Sequence, residues 1–168
     1  MNKHPVPIKL LTQIGEMTVS FAMLESNIQA LLGSLIQEHQ RIGQILAAQL
    51  SFKMLRATVS SLYRERHGED NDFKTLKNLL RNAGKIEQER NKIIHSIWGA
   101  GKTVDTIKRL KITSREKHGF QFQSEDYDEK KFIVFNKKIK KLTLNFITLS
   151  IALIDNGKAI NNPIDKLW

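Results

Sequence analysis

Arg90, Asn91 and His95 are the residues of this chain whose types and spacing are suited to chemistry. A histidine transfers protons near neutral pH, and an arginine clamps a phosphate with two parallel donors and stabilises negative charge as it develops. A neighbouring asparagine can orient either group. Together they suit cleavage of RNA by its own 2′-hydroxyl, a reaction that needs a proton shuttle and an anion clamp but no metal. DNA lacks that hydroxyl and cannot react in this way.

The apolar spacing around these residues predicts a helix that is capped by Asp72 and continues to about Trp98. Ile86, Arg90 and Ile97 belong to one stripe of this helix, because the apolar positions step by three and four. Arg90 therefore lies where the pattern calls for an apolar residue. Since burying an unpaired guanidinium costs several kcal/mol, we expect it to have a partner.

The same helix groups the other polar residues beside Arg90. Five residues at about 100° each place His95 roughly 140° around the helix from Arg90. His95 shares a face with Asn91, four residues before it, and with Trp98, three residues after it. The sequence thus predicts a charged side chain within the apolar stripe and a group of Asn, His and Trp next to it.

One segment resembles the R-x4-6-H motif of the HEPN superfamily, in the form with a polar residue after the arginine: Arg90-Asn91-Lys92-Ile93-Ile94-His95. A glutamate precedes the arginine and Trp-Gly follows the histidine, as in that superfamily. HEPN proteins are typically dimeric, metal-independent endoribonucleases whose Arg–His motifs meet across the dimer interface. The resemblance implies that Arg90 and His95 are the catalytic pair and that Asn91 is the polar second residue. Lys92, which lies within the same segment, is predicted to contact RNA.

The resemblance also implies a biological setting. Many HEPN proteins are toxins of toxin–antitoxin or abortive-infection systems. It therefore implies a homodimeric toxin or anti-phage defence ribonuclease, with RNA as its substrate, no cofactor, and a cognate antitoxin as a candidate protein partner.

Two other functions stay open from the sequence. One is a non-catalytic HEPN-like module that binds RNA or a partner protein; there, Arg90 pairs with Glu87 or Glu25, and His95 is an ordinary hydrogen-bonded histidine. The other is a helical DNA-binding regulator. The charge permits such a regulator, but no segment shows a helix-turn-helix with a basic recognition helix.

The charge of the chain favours an anionic partner. Lys and Arg total 27 and Asp and Glu total 17, which gives a formal net charge of +10, and nucleic acid is the commonest anionic partner. The densest basic run contains Lys137, Lys138, Lys140 and Lys141. It predicts either a track for the RNA backbone or a solvated helix face.

Composition excludes several classes of protein. The chain has no cysteine, which excludes disulfides, thiol catalysis and Cys-based metal sites. Its five histidines form no HxxxH or HExxH pair, so we expect no metal site. The first residues show no signal peptide, and the apolar stretch 142–154 is too short to span a bilayer. We therefore expect a cytoplasmic protein without a membrane partner.

The elements predict a mainly α fold, a four- to five-helix bundle in a single HEPN-like domain over residues 1–168. Helices are predicted over about 8–37, 41–66 and 127–155 besides the motif helix, with a break near Leu50 and a cap at Ser51. Gly99-Ala100-Gly101 is predicted to end the motif helix. A small β-hairpin is predicted over about 102–123, before the last long helix, with Thr106, Lys108 and Leu110 on one face and a turn at 117–119.

Overall fold

The computed structural model describes residues 6–36, 40–103, 106–115 and 119–160. Within these residues the fold is mainly α, as predicted, and contains five helices and a small antiparallel sheet that precedes the last long helix. The helices are Ile8–Leu35 (α1), Gln40–Gln49 (α2), Phe52–His67 (α3), Asn71–Ile94 (α4) and Glu129–Asp155 (α5). The strands are Ile97–Ala100 (β1), Thr106–Arg115 (β2) and Gly119–Asp128 (β3). Three histidines (4, 39 and 118) and most of the predicted hairpin turn lie outside the described residues.

The described chain groups into two compact units. The first is formed by the residues up to Ser20 together with Gln88–Lys138, and it contains the sheet. The second is formed by Phe21–Glu87 together with the residues from Ile139 onward. A single domain over the whole chain stays a prediction. None of the described helices combines the length and the apolar character that a bilayer span requires.

The core of the first unit lies between the sheet and parts of the long helices. The rings of Trp98 and Tyr127 meet edge to face at 5.2 Å, and both approach Phe132 of α5. Asn136, buried on α5, donates from its Nδ2 to the backbone oxygen of Gln13 on α1 at 3.1 Å. The packed aromatic rings and the hydrogen bond donated by the buried Asn136 amide hold these elements against one another.

The predicted N-cap of α3 is confirmed, and the predicted N-cap of α4 is wrong. Ser51 caps α3, because its Oγ accepts a hydrogen bond from the Met54 amide at 3.3 Å. The cap of α4 is Asp70 and not Asp72: the Phe73 amide donates to Asp70 Oδ1 at 2.8 Å. Asp72 lies inside the first turn, where a carboxylate still interacts favourably with the N-terminal end of the helix.

Helix α4 ends four residues earlier than predicted, at Ile94. The residues Ile97–Ala100 form β1, which pairs antiparallel with β2, so Trp98 is not on the helix and shares no helical face with His95. Gly99-Ala100-Gly101 accordingly does not end the helix. The backbone pairing of β1 with β2 and the packing of Trp98 replace one further turn of helix.

The hairpin predicted over 102–123 is present but shifted toward the C-terminus. Strands β2 and β3 pair from Thr106↔Asp128 to Arg115↔Gly119, and β1 adds a third strand in the order β1-β2-β3. Helix α5 then begins at Glu129 and not at residue 127, and the Lys131 amide donates to Asp128 Oδ1 at 2.9 Å. The predicted end at Asn156-Gly157 is confirmed, since Gly157 has a φ of 68°.

A polar cluster in the second unit joins the α3–α4 loop to the chain that follows α5. The Tyr63 hydroxyl donates to the Asp70 carboxylate, and Lys158 Nζ contacts both Asp70, at 2.7 Å, and Asp72. His67 Nε2 lies 2.9 Å from the Lys158 carbonyl oxygen. Burial and the Asp70 charge raise the pKa of Tyr63 to about 12, so its hydroxyl remains a donor at neutral pH.

We expect this cluster to make the stability of the protein sensitive to acid. The hydrogen bonds from Lys158 and from the Phe73 amide hold the pKa of the Asp70 carboxyl below its usual range. A lowered carboxyl pKa contributes stability that is present above the unfolded value of about 4. That contribution is lost as the pH falls through the lower folded value. Asp70→Asn keeps a capping oxygen but removes the charge, so its melting temperature should lie below that of the wild type at pH 7.

The difference in melting temperature should shrink as the pH falls below about 4, because the wild-type carboxyl then becomes protonated as the pH passes its lowered pKa. Glu65→Gln is the control, since Glu65 is exposed on α3 and its variant should follow the wild type at each pH. A constant gap between Asp70→Asn and the wild type across this range would contradict a contribution from the charge.

Candidate active site at the end of helix α4

The structure brings Arg90 and Asn91 together on the last turns of α4. Arg90 Nη1 donates a hydrogen bond to Asn91 Oδ1 at 3.0 Å, and both side chains are partly buried. Adjacent residues on a helix do not normally face each other, so the long arginine side chain must reach around the helix to make this contact. The Asn91 side-chain oxygen therefore accepts a hydrogen bond from one edge of the guanidinium.

His95 is the first residue after the helix, and its ring is exposed. Its backbone N–H donates to the Asn91 carbonyl oxygen at 3.1 Å, which continues the helical hydrogen-bond pattern by one residue. No described residue, Arg90 and Asn91 included, makes a hydrogen bond to the imidazole ring of His95. Among the described residues, the His95 ring is thus exposed to solvent.

Glu87, one of the two acids considered as a partner for Arg90, forms an ion pair with Arg56. Glu87 Oε2 lies 3.2 Å from Nη2 of Arg56, and both side chains are about one-fifth exposed. Arg56 also donates to the Leu80 carbonyl oxygen at 3.2 Å. Glu87 thus helps to hold α3 against α4 in the second unit.

Lys92 is exposed beside the motif and forms an ion pair with Glu89 at 3.2 Å. Glu89 in turn accepts a hydrogen bond from the Tyr127 hydroxyl at 3.1 Å. Burial and the Glu89 charge raise the pKa of Tyr127, so this hydroxyl stays a donor. Since an exposed ion pair is worth at most about 1 kcal/mol, a phosphate can compete with Glu89 for Lys92.

Arg109 is a residue near the site that the sequence patterns did not indicate. It lies on β2, is 8% exposed, and donates to Ser96 Oγ at 3.4 Å and to Glu125 Oε2 at 3.3 Å. Thr106, Lys108 and Leu110, whose alternation predicted a strand, lie partly exposed on one face of β2. The buried face of β2 carries Ile107 and Arg109 instead, because they share it with Tyr127 and Trp98 of the neighbouring strands.

The four lysines of the basic run project from α5 around Ile139, which is completely buried. Lys137, Lys138, Lys140 and Lys141 are all exposed. A track for RNA and a solvated helix face both fit this placement.

The described residues contain no group of three or more His, Cys, Asp or Glu side chains that could hold a metal ion. No protein-family model, curated protein or solved structure matches this chain. The similarity to the HEPN superfamily therefore rests on the motif residues, and membership stays a prediction.

Proposed function

We propose that this protein is a metal-independent endoribonuclease of the HEPN type. The observation that carries the proposal is the pairing of Arg90 with Asn91 at 3.0 Å, less than two turns before the exposed imidazole of His95. Arg90 is the clamp for the scissile phosphate, Asn91 orients the guanidinium, and His95 transfers the proton. All three are side chains of the same short segment, so the backbone sets their spacing.

The reaction begins when the 2′-oxygen attacks the adjacent phosphorus. The 2′-hydroxyl proton passes to an imidazole, a 2′-oxygen–phosphorus bond forms, and the bond to the 5′-oxygen breaks. The departing 5′-oxygen takes a proton from an imidazolium, which leaves a 2′,3′-cyclic phosphate and a 5′-hydroxyl. Two copies of the chain would supply two His95 rings, one as base and one as acid.

The direct test is incubation of purified protein with total RNA in EDTA, followed by analysis of the product ends. We expect cleavage that leaves a 2′,3′-cyclic phosphate or its hydrolysis product. Binding of RNA without cleavage would favour the non-catalytic module. Preference for duplex DNA would favour the DNA-binding regulator.

The proposed biological role is that of a cytoplasmic toxin or anti-phage defence ribonuclease, restrained by a cognate antitoxin. Induced expression in a bacterial host should then arrest growth and degrade cellular RNA. Expression of His95→Ala at the same level should not. Equal growth arrest by both proteins would contradict toxicity through RNA cleavage.

We expect the protein to be a homodimer. Near the motif, Ile93 is buried and Trp98 packs on Tyr127, whereas Ile97 is 61% exposed. Exposed aliphatic side chains also lie on α2, where Ile42, Ile45 and Leu46 are each at least half exposed at helical spacing. Sedimentation at micromolar concentration should show a dimer, whose interface should exceed roughly 1,000 Å². A monomer under these conditions would exclude a catalytic site shared between two copies.

We expect RNA binding to weaken steeply with salt, and the basic run to supply part of that dependence. Each phosphate contact on single-stranded RNA adds about 0.7 to the slope of log affinity against log salt. Replacement of all four lysines of the run by Gln should therefore reduce the slope by up to about 3.

The matched control also replaces four exposed lysines by Gln, so that the net charge changes equally: Lys53, Lys74, Lys77 and Lys85. Equal slopes for the two quadruple variants would show that the basic run is only a solvated face.

A further inference from the structure

We propose that Arg109 and Ser96 are positioning residues for His95, a role that rests on the proposed ribonuclease function. Neither residue belongs to the motif. Both act on the backbone at the point where α4 ends and β1 begins.

The end of α4 is held by donors that come from the residues after it. The last four carbonyl groups of a helix have no N–H partner within the helix, and a buried one must find another donor. Here three consecutive carbonyl groups do so. The pairs are the His95 N–H with the Asn91 oxygen at 3.1 Å, the Ser96 hydroxyl with the Lys92 oxygen, and Trp98 Nε1 with the Ile93 oxygen at 3.1 Å.

Arg109 fixes the middle one of these donors. A hydroxyl has one hydrogen, which Ser96 uses for the Lys92 carbonyl, so its oxygen is left to accept from Arg109 Nη1 at 3.4 Å. Arg109 occupies the central strand opposite Trp98 and Glu125, and all three lie on one face of the sheet. Arg109 of the sheet thus contacts Ser96, the residue after His95. On the other side, the carbonyl oxygen of Asn91 accepts a hydrogen bond from the His95 N–H.

Arg109 is a costly way to stabilise a fold. The residue is 8% exposed, its Nε has no acceptor among the described residues, and its carboxylate partner Glu125 is about half exposed. Replacing a buried charge by an apolar side chain of similar size is often neutral or stabilising. Stability alone therefore does not explain why a cation is buried here. Arg109 holds Ser96, and Ser96 holds the backbone next to His95, which explains the burial by a role at the site.

The test compares Arg109→Met and Ser96→Ala with the wild type. Misplacement of a catalytic group by about 1 Å costs up to about 100-fold in rate, so kcat should fall by up to that factor while KM changes less than about twofold. Hydrogen exchange at the His95 amide should become at least tenfold faster relative to amides earlier in α4. The losses in kcat of the two single variants should not add in the double variant, because both variants remove the contact between Arg109 and Ser96.

Lys131→Met is the control. Lys131 Nζ lies 3.5 Å from Glu125 Oε1, so this variant removes the other cation from the same carboxylate. It does not contact Ser96, so kcat and exchange at His95 should match the wild type. A loss in Lys131→Met equal to that in Arg109→Met would assign the effect to charge near Glu125 and overturn the proposal.

The exchange measurement separates this proposal from the proposed function. If the wild type cleaves no RNA, the ribonuclease function fails, and the His95 amide still reports whether Arg109 and Ser96 hold its backbone. If Arg109→Met does not fold, Ser96→Ala decides, because it removes a single hydroxyl. Unchanged exchange and unchanged kcat in Ser96→Ala would overturn the positioning role.

Discussion

Replacing His95 by Ala should lower the rate of RNA cleavage in EDTA by about 10²–10⁴-fold, the usual contribution of a positioned acid–base group. The imidazole is exposed and makes no hydrogen bond to a described residue, so its removal should leave the fold almost unchanged. The free energy of unfolding should shift by no more than about 0.5 kcal/mol, as for most surface substitutions. Single-turnover cleavage of a labelled RNA, with melting temperatures measured alongside, checks both expectations.

His67→Gln is the matched control for the loss of an imidazole. The His67 ring bonds the Lys158 carbonyl oxygen on the second unit and has no place in the proposed site. This variant should therefore cleave RNA at the wild-type rate. Equal activity of His95→Ala and the wild type would attribute the cleavage to a contaminant. A large loss of melting temperature in His95→Ala would instead make His95 a structural residue.

Replacing Arg90 by Ala should lower the cleavage rate by about 10²–10³-fold, because it removes a donor that stabilises charge on the phosphate. Arg90→Lys should recover only part of the rate, since an ammonium cannot form two parallel hydrogen bonds and keep the Asn91 contact. Asn91→Ala should cost less than Arg90→Ala, because Asn91 orients the guanidinium and does not react. Melting temperatures of these variants, measured alongside, separate a loss of catalysis from a loss of fold.

Arg81→Ala is the control for Arg90. Arg81 also lies on α4 and also donates to an asparagine, with its Nη2 2.8 Å from Asn78 Oδ1, but it is exposed and far from the end of the helix in sequence. We expect this variant to keep the wild-type rate. Similar losses in Arg81→Ala and Arg90→Ala would show that α4 contributes only general positive charge.

The sequence by itself determined the features that depend on local interactions. The helical period of the apolar residues placed α1, α3 and α5 within two residues of their ends, because each buries one face at a spacing of three and four. The Ser51 cap and the turn at Gly157 were also predictable, since each involves residues only a few positions apart. Arg90, Asn91 and His95 were found as candidates from their types and spacing alone.

The tertiary structure decided what happens after Ile94. Apolar periodicity continues through Ile97, so the sequence favoured a longer helix. The end of α4 is set instead by pairing of Ile97–Ala100 with a strand that follows it, and by the packing of Trp98 on Tyr127. The same pairing decides which face of β2 is buried, because a shift of one residue exchanges the two faces of a strand. The burial of Arg109 and its contact with Ser96 follow from that register, which no local pattern in the sequence specifies.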